Sequence, residues 1–384
     1  MLRNRTCYIL LLITAVMVYI FTNTYHTLLL LAACAAMPVF SLVLMLISRR
    51  GLKIELSVPA TAEKKDAAVT YTIRNSSRLP VAKMTFDIYI ENQLTGSGSG
   101  RRASATAGGR QTDVVRLALK ECRAGTLLIS TRRIRVYDVF GLFTVRQPDI
   151  ASETMMIYPE IREIGVFMER PVETDGDGSR YSTVRPGHDV SEVFALREYI
   201  EGDEVRKIHW KLSARTGEIM VRDFSLPLNY SIYLLLELTG GSEDIVDAQV
   251  ELFLSLSGAL LENGINHAMG WYDAGAGMFN TAELDDLEDL ETASAGVLSS
   301  YAAQETGNAV DHYMAGGYHD RKNILIYVCA DPPADRIAAL EVSQRVITVM
   351  LYEDEKAVDA VRQAIDVTAV PVHDIAGGIP EITV

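Results

Sequence analysis

The chain has 384 residues, a formal net charge of −14, 48% hydrophobic residues and 22% charged residues. This length predicts two or three domains, and this composition excludes disorder on the scale of a whole domain. The four cysteines include no Cys-x-x-Cys pair. This argues against a disulfide framework or a thiolate metal site, and it fits a reducing compartment.

The charge is unevenly distributed along the chain. From Gly240 onward there are 25 acidic residues and only 6 basic ones. Such a region repels nucleic acid and anionic lipid, because phosphate binding needs Lys and Arg. We therefore expect no nucleic-acid partner. The acidic region is either a solvated surface that aids solubility or a docking face for a basic partner.

Two apolar runs, 7–22 and 27–48, lie at the start of the chain. A membrane-spanning helix needs about 20 apolar residues, so residues 1–50 are predicted to form a transmembrane helical hairpin. Basic residues flank the outer ends of the two runs and are absent from the turn: Arg3, Arg5, Arg49, Arg50 and Lys53. The positive-inside rule then predicts a two-pass cell-membrane protein with both termini and the soluble domains in the cytoplasm.

Two other interpretations fit the same start. Arg3 and Arg5 before an apolar run are also typical of a signal peptide, and residues 31–34 resemble the motif that precedes a lipid-modified cysteine. The chain remains apolar well beyond Cys34, however, which a soluble lipoprotein would not do. The hairpin is therefore favoured.

Residues 51–165 have the pattern of an antiparallel β-sandwich, similar to an immunoglobulin domain. Alternation of apolar and polar residues predicts strands at 53–58, 69–73, 84–90, 113–119, 126–137 and 154–158. Short strands separated by turn signals are typical of sandwiches. The Gly/Ser-rich run 95–110 is predicted to be a mobile hairpin loop, and the polar segment 166–188 is predicted to be a linker.

From residue 229 onward, strand and helix patterns alternate. Predicted strands lie at 230–238, 265–272, 323–329, 346–352 and 369–373, and predicted helices at 244–262, 283–299, 308–314, 334–343 and 356–365. This alternation predicts an α/β domain with a parallel, doubly wound sheet.

The segment 185–224 contains a dense group of polar residues around one of the two tryptophans. Its motifs are Arg197-Glu198-Tyr199, Gly202-Asp203, Arg206, His209-Trp210-Lys211 and Ala214-Arg215-Thr216-Gly217. This progression resembles the bacterial family known as domain of unknown function 58. The stretch 137–143 (YDVFGLF) and the two-helix N-terminus are also similar to that family, so the resemblance covers most of the chain.

The resemblance implies an architecture and a partner. The C-terminal part of the family, here residues 189–384, is similar to a von Willebrand factor A domain. The genes of this family are commonly grouped with those of MoxR-type AAA+ ATPases. This grouping implies an adaptor or chaperone-like role beside such an ATPase. The biochemical function of the family is not established, so the resemblance implies no reaction.

The polar group itself permits three interpretations. In the first, Trp210 packs between the sheet and the β domain while neighbouring Arg and Glu side chains pair. In the second, Arg197, Asp203, Arg206, His209 and Lys211 line a groove that binds a partner or an anionic ligand. In the third, Glu198, Asp203 and His209 are catalytic, although the sequence places no orienting carboxylate beside His209.

A candidate metal site lies at the positions that carry Asp-x-Ser-x-Ser in von Willebrand A domains. The matching positions are Glu237, Thr239 and Gly241, with Asp331 as a later candidate. Gly241 offers no side-chain oxygen, whereas hard divalent cations need several oxygen ligands. We therefore expect no tightly bound metal and no cofactor. The sequence favours a non-enzymatic protein-interaction module; the alternative is an enzyme or metal-dependent ligand-binding protein that uses the 197–211 cluster or this degenerate site.

Overall fold

The computed structural model describes residues 2–120, 122–162, 164–167, 181–187, 189–199, 208–216, 218–227, 232–239, 241–303, 305–318, 324–375 and 382–383. It begins with two helices, α1 (Leu2–Thr22) and α2 (Tyr25–Arg50). Both are long and apolar enough to cross a membrane. The Tyr8 hydroxyl donates a hydrogen bond to the Cys34 carbonyl at a distance of 3.0 Å, so the two helices lie side by side as a hairpin.

A β domain follows the hairpin. Its strands are β1 (Leu52–Ser57), β2 (Thr61–Glu63), β3 (Ala68–Asn75), β4 (Val81–Asn92), β5 (Gly98–Ala107), β6 (Gln111–Ala118), β7 (Gly125–Tyr137), β8 (Thr144–Arg146) and β9 (Ile150–Tyr158). One sheet has the order β1-β3-β6, and the other has the order β2-β9-β7-β4-β5, with β8 beside β7. Buried residues of both sheets, such as Tyr71 on β3 and Phe86 on β4, share one core.

The prediction of a loop at 95–110 is wrong, because β5 occupies most of this run. β5 pairs antiparallel with β4, with Ile88 opposite Arg101 and Asp87 opposite Arg102. It lies at the edge of the sheet, where small and polar side chains can face solvent while the backbone stays hydrogen-bonded. The Arg102 guanidinium and the Asp87 carboxylate also form an ion pair across the two strands, at 2.6 Å.

Several short elements lie between the β domain and the α/β domain. They are β10 (Val166–Phe167), β11 (Tyr181–Gly187), β12 (Asp189–Glu198), the helix α3 (Trp210–Thr216) and β13 (Met220–Pro227). β10 pairs with the terminal strand β20 (Ile382–Thr383), and a separate sheet has the order β11-β13-β12. The predicted linker 166–188 therefore contains backbone that pairs as strands.

The α/β domain consists of β14 (Ile232–Leu236), α4 (Glu243–Glu262), β15 (His267–Asp273), β16 (Met278–Leu284), α5 (Leu287–Leu298), α6 (Asn308–Ala315), β17 (Ile324–Cys329), α7 (Ala334–Glu341), β18 (Val346–Tyr352), α8 (Glu355–Arg362) and β19 (Thr368–Pro371). The sheet order is β16-β15-β14-β17-β18-β19. The prediction of an entirely parallel sheet needs one correction, because β16 is antiparallel to β15. The predicted helix at 283–299 consequently begins only at Leu287.

Two layers of helices cover the sheet. On β14, Ile232, Leu234 and Leu236 pack in the core that contains α4 and α5. The intervening Tyr233 and Leu235 pack in the core that contains α6 and α7. A strand buried on both faces explains why 230–238 is apolar almost throughout.

The β domain contacts the face of the α/β domain formed by α4. Leu94 and Ala124 join the same apolar core as α4. Around them, basic residues of the β domain and the segment after it pair with acidic residues of α4. These pairs are Lys64 with Asp247 (2.8 Å) and Glu251 (2.9 Å), Arg123 with Glu243 and with Asp244 (2.9 Å), and Arg162 with Glu251 (2.9 Å).

Candidate interaction site

Strands β12 and β13 bring the two ends of the signature segment together. Glu198 is opposite Met220 in the antiparallel register. The Tyr199 amide donates a hydrogen bond to the Ile219 carbonyl at 2.8 Å, and the His209 amide donates one to the Met220 carbonyl, also at 2.8 Å. Tyr199, His209 and Ile219 therefore lie at one end of the β12–β13 pair, although they are separated in sequence.

His209 organises the start of α3. Its Nδ1 accepts a hydrogen bond from the Leu212 amide at 3.2 Å, which satisfies a donor at the helix N-terminus. The Ser213 hydroxyl donates to the His209 carbonyl (3.1 Å) and accepts from the Met220 amide (2.9 Å). These bonds fix α3 against β13, and the Nδ1 atom is occupied as an acceptor.

Trp210 is 63% exposed at the start of α3. The interpretation in which it packs between the sheet and the β domain is therefore wrong. Tyr199 and Ile219 are also exposed, so several large apolar side chains face solvent in this region. Tryptophan is among the residues most enriched at binding hot spots.

Basic side chains accompany this apolar surface. Lys211 and Arg215 lie on α3 and are both exposed. Of the other predicted residues, Gly202, Asp203 and Arg206 lie outside the described residues, and only the backbone of Arg197 and Glu198 is described. We call the exposed group Tyr199, Trp210, Lys211, Arg215 and Ile219 the signature surface.

The degenerate metal positions lie elsewhere, at the carboxyl end of the parallel strands. Glu237 directly follows β14 and is almost fully buried. Its carboxylate accepts from the Ala309 amide (3.3 and 3.2 Å) at the start of α6 and from the Tyr327 hydroxyl (2.9 Å) on β17. Burial raises the pKa of Glu237, and these hydrogen bonds partly oppose that rise.

The other three positions differ in exposure and in the oxygen atoms that they offer. Thr239 is buried, Gly241 has no side-chain oxygen, and Asp331 is exposed. Within the part of the chain that the structure describes, no three His, Cys, Asp or Glu side chains are grouped as metal ligands. The Glu237 carboxylate instead binds a helix N-terminus, where the helix dipole favours negative charge.

Comparison with known proteins identifies the signature segment. Residues 195–253 match the family model described as "Protein of unknown function DUF58". This match supports the DUF58 family. The matched residues include the end of β12, α3, β13, β14 and the first half of α4, so they contain the signature surface. The resemblance inferred from the sequence motifs is thereby confirmed.

A distant DUF58 relative is the "Uncharacterized protein YeaD" of Bacillus subtilis (strain 168), which is 22% identical over 250 residues. The alignment covers 62% of this chain and 62% of that protein, less than two thirds of its length.

Two solved structures were also matched. One is the Pseudomonas fluorescens alkylpurine DNA glycosylase AlkC bound to DNA containing an abasic site analog (TM-score 0.19, 15% identity, covering 33% of this chain and 38% of that one). The other is a Paenibacillus sp. cycloisomaltooligosaccharide glucanotransferase complexed with cycloisomaltoheptaose (TM-score 0.18, 9% identity, 83% and 48%). With TM-scores this low, neither likeness bears on fold or function.

Proposed function

We propose that this DUF58 protein is a membrane-anchored, non-enzymatic module that binds a protein partner through the signature surface. The observation that carries the proposal is the exposure of Trp210 beside Lys211 and Arg215. An exposed tryptophan leaves a large apolar area in water, and covering it with a partner removes that unfavourable contact. The hydrogen bonds of His209 and Ser213 hold this surface in a fixed shape before a partner arrives.

The rest of the chain serves this role as an anchor and a platform. The helical hairpin crosses the cell membrane twice, and its flanking arginines keep both termini and the soluble domains in the cytoplasm. The β domain acts as a sandwich-like spacer. The α/β domain is von Willebrand A-like, a reading supported by its central β14 and its single antiparallel edge strand.

The chemistry of the signature surface favours an acidic partner. Lys211 and Arg215 supply positive charge next to an apolar anchor, and charge complementarity of this kind speeds association and gives specificity. The family resemblance points to a MoxR-type AAA+ ATPase as that partner. The chain would then act as its membrane adaptor.

A metal-dependent or enzymatic role at Glu237 is the alternative. It has less support, because the Glu237 carboxylate already accepts bonds from α6 and Tyr327 and Gly241 cannot contribute an oxygen. A metal that bound the native state would stabilise it by RT ln(1 + [L]/Kd) and so raise the melting temperature as its concentration increased. Titration with Mg²⁺, Mn²⁺ or Ca²⁺ during thermal melting would reveal such a site.

The proposal is tested by co-purification of the detergent-solubilised protein with a MoxR-type ATPase from the same cell, with and without nucleotide. We expect Trp210→Ala to weaken the association by about 2 kcal/mol, or about 30-fold, as for a hot-spot tryptophan. Leu287→Ala, which truncates a similarly exposed residue at the start of α5, should bind as the wild type does. Equal binding by all three chains, or binding by none, would refute the proposal.

A further inference from the structure

The turn between β7 and β8, residues 138–143, has a tightly bonded backbone. The buried Asp138 carboxylate accepts from the amides of Phe140 (3.2 Å) and Phe143 (2.7 Å) and from the Ser41 hydroxyl of α2. Gly141 adopts a φ of +67°, a left-handed conformation that glycine takes readily. We call residues 138–143 the tip loop.

The tip loop is also bonded to the first turn of α1. The Asn4 side-chain amide donates a hydrogen bond to the Phe140 carbonyl, and the Arg5 Nε donates one to the Leu142 carbonyl, each at a distance of 2.9 Å. The loop therefore contacts both helices of the hairpin. Its position along them is fixed at the level of Arg5 on α1 and Ser41 on α2.

On α2 this level lies within the second apolar run, 27–48, seven residues or about 10 Å from its end. Below Ser41, α2 packs on the β domain, where Met45 and Ser48 are buried. Ser41 and Arg50 are separated by about 13 Å along the helix, at about 1.5 Å per residue. The outward face of α2 is apolar and exposed on both sides of Ser41, at Val39, Phe40, Val43, Leu46 and Ile47, as expected for a helix surface that faces lipid. The tip loop therefore lies beside a lipid-facing stretch of α2.

The tip loop presents two apolar side chains beside this stretch of α2. Val139 is 61% exposed and Phe140 is 42% exposed. They face α2 across an apolar groove of about 530 Å³, whose helical wall consists of Ala33, Ala36, Met37, Phe40, Ser41 and Leu44. Exposing such side chains to water is unfavourable by roughly 25 cal/mol for each Å² of apolar surface, whereas exposing them to hydrocarbon is not.

We propose that Val139 and Phe140 insert into the cytoplasmic leaflet, and that the groove beside them seats an acyl chain of a membrane phospholipid. This inference rests on the membrane anchoring proposed above. Arg3, Arg5, Arg49 and Arg50 lie at the same ends of the two helices. Their charges complement the phosphates of the lipids that the groove would hold.

Insertion of the tip loop gives the β domain a third attachment to the bilayer, beside the two helices. A hairpin alone can tilt in the bilayer together with the β domain packed on it, whereas a third point of insertion fixes the orientation of both. The signature surface would then be held at a set height and direction relative to the membrane.

The test uses tryptophan as a probe in the full-length protein, reconstituted in vesicles of phosphatidylcholine and phosphatidylglycerol. Val139→Trp and Phe140→Trp place the probe on the tip loop. Val114→Trp is the matched control, because Val114 is a similarly exposed valine (64%) of the same domain. Phe21→Trp reports on the far end of the hairpin, and the wild type gives the background from Trp210 and Trp271. Vesicles with brominated acyl chains quench tryptophans that contact the hydrocarbon.

We expect bromination to cause a loss of fluorescence at positions 139 and 140 and no loss at 114. Quenching at 21 without quenching at 139 or 140 would overturn the tip insertion while leaving the anchor intact. Absence of quenching at 21 as well would overturn both the anchor and the insertion. Equal quenching at 114 and 139 would also overturn the proposal, because the contact would not be specific to the tip loop.

Discussion

Glu237 illustrates how one residue can occupy a position typical of a metal ligand and act differently. Its carboxylate lies at the carboxyl end of β14, where doubly wound sheets often bind ligands. The positive end of α6 and the Tyr327 hydroxyl are its partners. Burial also raises the pKa of the neighbouring Cys329 thiol, so that thiol is protonated and unreactive at neutral pH.

Glu237→Ala should lower the free energy of unfolding by about 1–3 kcal/mol, because it leaves buried donors of α6 and Tyr327 without their acceptor. Asp331→Ala, at the exposed position of the same degenerate set, should leave it unchanged. Urea unfolding of both variants, with and without added Mg²⁺, measures the two effects. A larger loss for Asp331→Ala that appears only with Mg²⁺ would contradict the structural role given to Glu237.

Trp210 shows what residue-level reasoning could and could not predict. The motif around it indicated the family and selected the segment that the family model matches. Whether the side chain is buried depends on neighbours from distant parts of the chain, which composition and spacing do not reveal. The helix-capping bond of His209 was also missed, although a polar residue directly before a short helical stretch is a recognised capping signal.

At the scale of elements, long periodic segments were predicted well, whereas two of the edge strands were not. The apolar stripe of α4 identified a helix within one residue of its observed start, at Glu243. β5 and β16 were missed, because an edge strand has one unpaired side and tolerates Gly, Ser and charged residues. Their hydrogen bonds come from the neighbouring strand and leave little trace in their own composition.

The attachment of the β domain to α4 can be tested with two adjacent lysines. Burial alone would lower the pKa of Lys64, but Asp247 and Glu251 outweigh that effect and raise it. Lys64→Ala leaves Asp247 and Glu251 without this partner in a largely buried contact, so we expect a loss of about 1–3 kcal/mol in unfolding free energy. Lys65, whose pair with Glu160 is exposed, provides the control.

Lys65→Ala should have a much smaller effect, because exposed ion pairs contribute little and are screened by salt. Thermal melting of the two variants at low and moderate ionic strength distinguishes the loss of a largely buried contact from the loss of an exposed ion pair. Equal destabilisation by both substitutions would mean that the Lys64 contacts do not hold the two domains together.

At the scale of the whole molecule, the acidic surplus beyond Gly240 has a partial explanation within the chain. Four of the acidic residues, all in the first half of α4, pair with Lys64, Arg123 and Arg162. The sequence could reveal the surplus but not its partners, because these pairs join residues far apart in the chain. The described structure thus uses part of the acidic surface as an internal interface.

The same long-range organisation sets the position of the signature surface. In the proposed arrangement, the hairpin and the tip loop hold the β domain at the membrane. The α/β domain is attached to the β domain through α4. The signature surface precedes this last domain and remains exposed. The central claim is therefore that a protein partner contacts the chain at Trp210.

Photo-crosslinking in intact cells tests this claim most directly. A benzoylphenylalanine replaces Trp210 in one variant and Val342, a highly exposed residue that follows α7, in another. We expect light to link position 210, and not position 342, to a MoxR-type ATPase. Absence of that adduct at position 210, or equal adducts at both positions, would contradict it.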